Sequence, residues 1–196
     1  MDIKISKVAN SRAHELRKDE LVFGKEYADH MLVCDYKDGK WGTPEIVPYG
    51  NLSLSPSTSA LHYGQAIFEG VKAYRQPDGT AAVFRPEKNW ERLNKSAARL
   101  DMPEIPKEIF LEGMRQLIAL DNSWVPNEDG TSLYIRPFMI GTDEFLGVRS
   151  SHDYKFMIIN SPAGPYYSKP VRIYVQEKYV RAVPGGIGYT KAAGNY

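Results

Sequence analysis

The sequence predicts an α+β fold: strand-like segments come first, two helices follow, and strands return after them, an order that argues against a doubly wound sheet. Three observations carry this. An Asp-Gly turn, Asp38-Gly39, separates two stretches of strand character within residues 27–49. Residues 86–118 hold two apolar stripes at helical spacing, divided by Pro103 and Pro106. Thirteen tyrosines and thirteen prolines favour a loop-rich, strand-rich chain over a helical bundle.

Taken in order, Tyr27 to Tyr36 reads as a strand, Lys37-Asp38-Gly39-Lys40 as a hairpin turn, and Trp41 to Tyr49 as the return. A second turn at Gln76-Pro77-Asp78-Gly79 joins Ala66–Tyr74 to Ala81–Phe84. Pro86 opens a helix at a position where its missing N–H does no harm. Trp90, Leu93, Ala97 and Leu100 form its apolar face. The next helix has Ile109, Phe110, Met114, Leu117 and Ile118 as its buried stripe. After a turn at Asn127–Gly130, Ser132–Met139 is a strand that Pro137 should make an edge or a short one. Tyr154–Ile159 is another strand. Ser161 to Ser168 has the composition of a linker, and Val171-Arg172-Ile173-Tyr174-Val175 alternates cleanly enough to predict a new strand. The expected division is a small N-terminal domain at 1–160, a linker at 161–170, and the start of a second domain at 171–196. So short a second piece cannot bury a core, and the expectation is that it is cut off.

Composition bounds the function. An apolar content of 42% and a charged content of 25% are those of an ordinary globular protein. A net charge of +1 gives no reason to expect a nucleic-acid or membrane partner. Cys34 is the only cysteine, which excludes an internal disulfide and a cysteine-based metal site, and no metal is expected. No apolar run reaches membrane-spanning length, and Met1-Asp2-Ile3-Lys4 lacks a signal-peptide core, so a cytoplasmic location is the default expectation.

The most informative stretch is Gly185-Gly186-Ile187-Gly188-Tyr189-Thr190-Lys191-Ala192-Ala193-Gly194-Asn195-Tyr196. Here Thr190 precedes Lys191 and Ala192 follows it, so this is not a P-loop, which needs Gly-Lys-Ser/Thr in succession. A dinucleotide fingerprint fails as well, because Lys191 stands where a glycine is required. Two readings remain. One is a flexible Gly-rich tail. The other is a Schiff-base lysine confined among small residues, for which pyridoxal 5'-phosphate is the simplest cofactor.

The chain resembles the branched-chain amino acid aminotransferases, pyridoxal-phosphate enzymes of fold type IV. The resemblance runs through Leu21-Val22-Phe23-Gly24, His62-Tyr63-Gly64-Gln65-Ala66-Ile67-Phe68-Glu69-Gly70, Phe84-Arg85-Pro86 and Asn89-Trp90-Glu91-Arg92-Leu93. It continues in Thr131 to Pro137, Leu146-Gly147-Val148, and Arg181 to Tyr196. It implies that Lys191 is the Schiff-base lysine and proton shuttle, that Arg92 holds the cofactor phosphate, that Tyr196 bonds the cofactor's phenolic oxygen, and that Arg181 lies near the phosphate end. It further implies a substrate pocket walled by Phe23, Tyr63, Phe68, Tyr134, Val148 and Tyr166, with Arg136 for the distal carboxylate of glutamate. For Arg92 alone the residues suggest a solvated helix face, and for Arg136 a surface ion pair. Glu69 is expected to be structural or a hydrogen-bonding residue of the substrate channel.

The implied reaction moves an amino group between leucine, isoleucine or valine and 2-oxoglutarate, giving glutamate, in a homodimer or higher homo-oligomer. The same fold leaves a D-amino acid aminotransferase or aminodeoxychorismate lyase as alternatives, and a non-catalytic dimerisation module is a third. The family's acidic partner for the pyridinium nitrogen falls beyond Tyr196, so these 196 residues alone are expected to have little or no transaminase activity.

Overall fold

The computed structural model describes residues 1–17, 20–167 and 169–196; Ser168, within the stretch read as a linker, lies outside the described residues. Among these, nine strands join one sheet. They are β1 (Lys4–Ile5), β2 (His30–Lys37), β3 (Lys40–Trp41), β4 (Glu45–Pro48), β5 (Ala66–Phe68), β6 (Val71–Arg75), β7 (Ala81–Val83), β8 (Ser132–Gly141) and β9 (Tyr154–Ala163). The order is β1-β4-β2-β9-β8-β6-β7, with β3 on β2 and β5 on β8. Only the β1–β4 pairing is parallel. Three α-helices accompany the sheet: α1 (Ser59–Tyr63), α2 (Pro86–Arg99) and α3 (Lys107–Leu120).

The β2–β3 turn forms where the Asp-Gly pair predicts it. Asp38 (φ 52°) and Gly39 (φ 73°) both sit in the left-handed region that this two-residue hairpin requires. Pro86 occupies the first turn of α2, and the expected stripe of α3 is buried throughout. Helices α2 and α3 cover one face of the sheet. There Leu32, Ile46, Leu133, Ile135, Met139, Phe156 and Ile158 pack with Leu93, Ala97, Phe110, Met114 and Leu117 in one core. Because side chains alternate along a strand, Tyr134, Arg136 and Phe138 point to the opposite face.

Three expectations need correction. The long apolar stretch at 66–74 is two strands, broken at Glu69-Gly70. Strand β8 is neither an edge nor short: it has ten residues, with β9 on one side and β5 and β6 on the other. The break explains why Pro137 is tolerated there. In an antiparallel strand the N–H and C=O of one residue face the same neighbour. The Pro137 carbonyl accepts from Glu69 N at 2.7 Å, so the nitrogen without a hydrogen faces the gap between β5 and β6, where no ladder partner is needed. Finally, residues 171–175 form no strand; Ile173, Tyr174 and Val175 are exposed. A clean alternation does not make a strand without a neighbouring strand to bond. Strand β9 also runs to Ala163, into the stretch read as linker.

Candidate active site

The break at Glu69-Gly70 organises the site. Glu69 is fully buried, yet its carboxylate receives four donors. Arg92 on α2 donates through Nε to Oε1 at 2.6 Å and through Nη2 to Oε2 at 2.8 Å. Asn89 Nδ2 (2.8 Å) and Gly70 N (3.2 Å) complete Oε2. Asn89 also bonds the Gly70 carbonyl at 3.2 Å, so one helical turn clamps both sides of the break. The hydrogen-bonded carboxylate pushes the pKa of Arg92 above its ordinary value against partial desolvation, and the Tyr196 phenol acts in the same direction. The Arg92 side chain remains 52% exposed, with its outer N–H edge directed away from Glu69.

The lysine segment docks against this unit through its backbone. Phe68 N donates to the Lys191 carbonyl at 3.0 Å, and Ile67 bridges to Ala192. Lys191 N donates at 3.0 Å to Ser96 Oγ, whose hydroxyl in turn donates to the Arg92 carbonyl at 3.1 Å. One buried hydroxyl therefore links the lysine to the helical turn that carries Arg92. Thr190 and Asn195 brace the segment: Asn195 Nδ2 donates to the carbonyls of Ile187 (2.9 Å) and Thr190 (3.0 Å). The Lys191 amine stands 4.7 Å from the centre of the Phe68 ring and 5.4 Å from that of Tyr196. Tyr196 packs edge-on to Phe68 at 5.1 Å.

Beyond Phe68 lies an aromatic floor on the face opposite the helices. The Arg136 guanidinium sits 4.7 Å from the Phe68 ring centre and 5.3 Å from that of Tyr134, and donates to the Tyr134 hydroxyl at 3.0 Å. Its Nε is buried without a partner among the described residues. Phe23 meets Tyr134 edge-on at 4.8 Å and Tyr166 at 5.6 Å. Phe68 thus carries two cations, Lys191 and Arg136, on one ring.

Of the residues singled out from sequence, Lys191, Arg92, Tyr196, Phe68, Arg136, Tyr134, Phe23 and Tyr166 form one connected set. Tyr63 stands at a second place, its hydroxyl donating to the Leu146 carbonyl. Val148, in the same loop as Leu146, is 90% exposed. Arg181 Nη1 donates to the Gly188 carbonyl at 3.2 Å, on the approach to Lys191 rather than beside Arg92. Sequence reasoning missed Asn89, Ser96 and the grip of Glu69 on Arg92. Ser96 left a signal: it is a polar residue on the apolar side of α2. The Glu69–Arg92 pairing left none, because the two residues lie in different elements.

An antiparallel-rich sheet, helices on one face, and a lysine segment docked against an arginine-bearing helix define the class. This is the fold-type-IV aminotransferase architecture. Solved structures agree. A branched-chain amino acid aminotransferase from Escherichia coli matches with a TM-score of 0.57 at 26% identity, over 85% of this chain and 50% of that one. A branched-chain aminotransferase from Thermoproteus uzoniensis, solved with norvaline, shares the fold with a TM-score of 0.56 at 23% identity, over 71% of this chain and 43% of that one. No protein-family model matches the chain. Among curated proteins, branched-chain-amino-acid transaminase 1 of Bacillus subtilis is 54% identical over 181 residues, 90% of this chain and 51% of that protein. The branched-chain-amino-acid aminotransferase of Mycolicibacterium smegmatis is 48% identical over 204 residues, 100% of this chain and 55% of that protein. The chain belongs to the branched-chain amino acid aminotransferase family. It spans about half the length of the curated relatives it matches.

Proposed function

We propose that the protein is a pyridoxal-phosphate-dependent aminotransferase that moves an amino group between a branched-chain amino acid and 2-oxoglutarate. The observation that carries this is the placement of the Lys191 amine against Phe68 while its backbone is tied through Ser96 to the helix bearing Arg92. Curated relatives from Bacillus subtilis, Staphylococcus aureus and Mycolicibacterium smegmatis, named as branched-chain enzymes at about half identity, favour this over a D-amino acid aminotransferase, a lyase or a non-catalytic module.

The residues fit such a cofactor. Arg92 has a fixed plane and an unshared N–H edge, which suits a phosphate, and Lys191 is half-buried with its amine over the Phe68 ring. Pyridoxal phosphate, when bound, supplies an aldehyde that takes up the amino group and a ring that withdraws electrons from the reacting carbon. Arg92 holds the phosphate. Lys191 Nζ is the base and acid that moves the proton at the substrate Cα. The Tyr196 hydroxyl bonds the ring oxygen, and Arg181, which lies on the approach to Lys191 and not beside Arg92, supports the lysine segment. Phe23, Phe68, Tyr134 and Tyr166 wall an apolar box for an aliphatic side chain, while Tyr63 and Val148 stand apart from it in this chain. Arg136, cushioned on Phe68 and Tyr134, receives the distal carboxylate of glutamate.

The same reading includes a cytoplasmic homodimer that serves branched-chain amino acid synthesis. The lone reduced Cys34 suits a reducing compartment. Phe145, Leu146 and Val148 form an exposed apolar loop that suits contact with a second copy. The exposed apolar side chains from Val171 onward suit the start of a second domain after the linker.

Borohydride reduction in the presence of pyridoxal phosphate, followed by peptide mapping, tests the central assignment. A single label on Lys191 is expected, both in this chain and in one extended past Tyr196 or, if the cofactor site needs further sequence, in the longer one alone. Scattered labelling of a folded longer chain refutes it. Transamination of L-leucine but not D-alanine by that longer chain separates the branched-chain enzyme from its same-fold alternatives.

A further inference from the structure

We infer that Glu69 is the positioning residue for the cofactor phosphate, acting through Arg92. This rests on the reading of Arg92 as the phosphate arginine. A carboxylate with no exposed surface is costly unless it is fully paired, and Glu69 is paired at both oxygens by four donors. Arg92 stands on an exposed helical position, where a free arginine side chain samples many rotamers. Two bonds from Glu69, to Nε and Nη2, fix both the direction and the plane of the guanidinium. Of the five guanidinium N–H groups, those two face the carboxylate. The other three, on Nη1 and the second position of Nη2, make no hydrogen bond among the described residues, and one from each nitrogen forms the outer edge.

This arrangement has a charge consequence. The Glu69–Arg92 pair is formally neutral, so what it offers an anion is a set of aimed donors more than a Coulomb field. An arginine without Glu69 offers the reverse: more net charge and no fixed aim. The two contributions are separable by experiment.

Lys191 of this chain, and of a chain extended past Tyr196, is labelled by borohydride with pyridoxal phosphate and with pyridoxal, each over a concentration series, in wild type, Glu69→Gln and Arg92→Lys. Wild type should prefer the phosphorylated aldehyde. In E69Q that preference should fall about tenfold or more, the scale of a lost charge-assisted hydrogen bond, while labelling by unphosphorylated pyridoxal falls far less. The remaining preference should become more sensitive to salt, as expected of an unpaired surface charge. R92K keeps the charge but loses the planar fork, so it should lose preference to a similar extent and covers the case in which E69Q fails to fold. A preference that is unchanged or increased in E69Q, or, should E69Q not fold, kept in R92K, overturns the positioning role. Wild type that is not labelled at Lys191 overturns the cofactor reading itself, and this inference with it.

Discussion

Phe68 is where the lysine, the candidate carboxylate-binding arginine and the tyrosine converge, which makes Phe68→Leu an incisive perturbation. Leucine keeps an apolar side chain in β5 and leaves the backbone bond to the Lys191 carbonyl in place. It removes the π face under Lys191 and Arg136, each 4.7 Å away, and the edge contact with Tyr196 at 5.1 Å. A cation–π contact at an exposed site contributes about 0.5–1 kcal/mol, and an aromatic edge pair about 0.5–1.5 kcal/mol. If these contacts pre-order the site, losing them costs on the order of 2 kcal/mol, roughly a thirtyfold weakening of binding. The assay is a pyridoxal phosphate titration monitored by absorbance, paired with urea unfolding to show that global stability changes far less. A dissociation constant within twofold of wild type refutes the argument that Phe68 pre-orders the site.

Two further outcomes follow from the same geometry. A Cβ built on Gly70 would collide with the Tyr134 hydroxyl and ring, so Gly70→Ala should push Tyr134 off Arg136. Steady-state kinetics of the extended protein should show a raised KM for both amino and oxo acids with cofactor affinity nearly unchanged; an unchanged KM would place Tyr134 outside the pocket. Burial, reinforced by Asp35 and opposed by Lys155, raises the Cys34 pKa from 9.0 to about 12. Its folded-state pKa lies above its unfolded one, so its contribution to stability is intact below about pH 9 and is lost as pH climbs towards 12. The stability difference between wild type and Cys34→Ala should therefore shift against wild type over that window in denaturant titrations, and a flat difference would contradict the assignment.

What could be read from sequence was what a few neighbouring residues encode. The Asp38-Gly39 turn needs only its own two dihedrals, and the α3 stripe only its own periodicity. Pro137 misled because its tolerance depends on a gap in another strand, which composition does not announce. Residues 171–175 misled in the opposite sense, since alternation shows suitability for a sheet but not the presence of a neighbour. The Lys191 segment could be identified through its resemblance to a family. The contacts that hold it, through Ser96, Ile67 and Phe68, could not, because they are made with residues distant in sequence.

The Ser96–Lys191 bond closes a loop of 95 residues. Such a closure is made late, after the local hairpins and helices have formed, since the chain entropy it removes is recovered only when both ends are already structured. The scaffold that carries Arg92 can therefore be in place before the amine arrives, and Lys191, the residue proposed as the Schiff-base lysine, lies on a strap that fastens onto it. In reverse, mild denaturant should release that strap while the sheet stays folded, so the capacity to hold a cofactor is lost before the protein is.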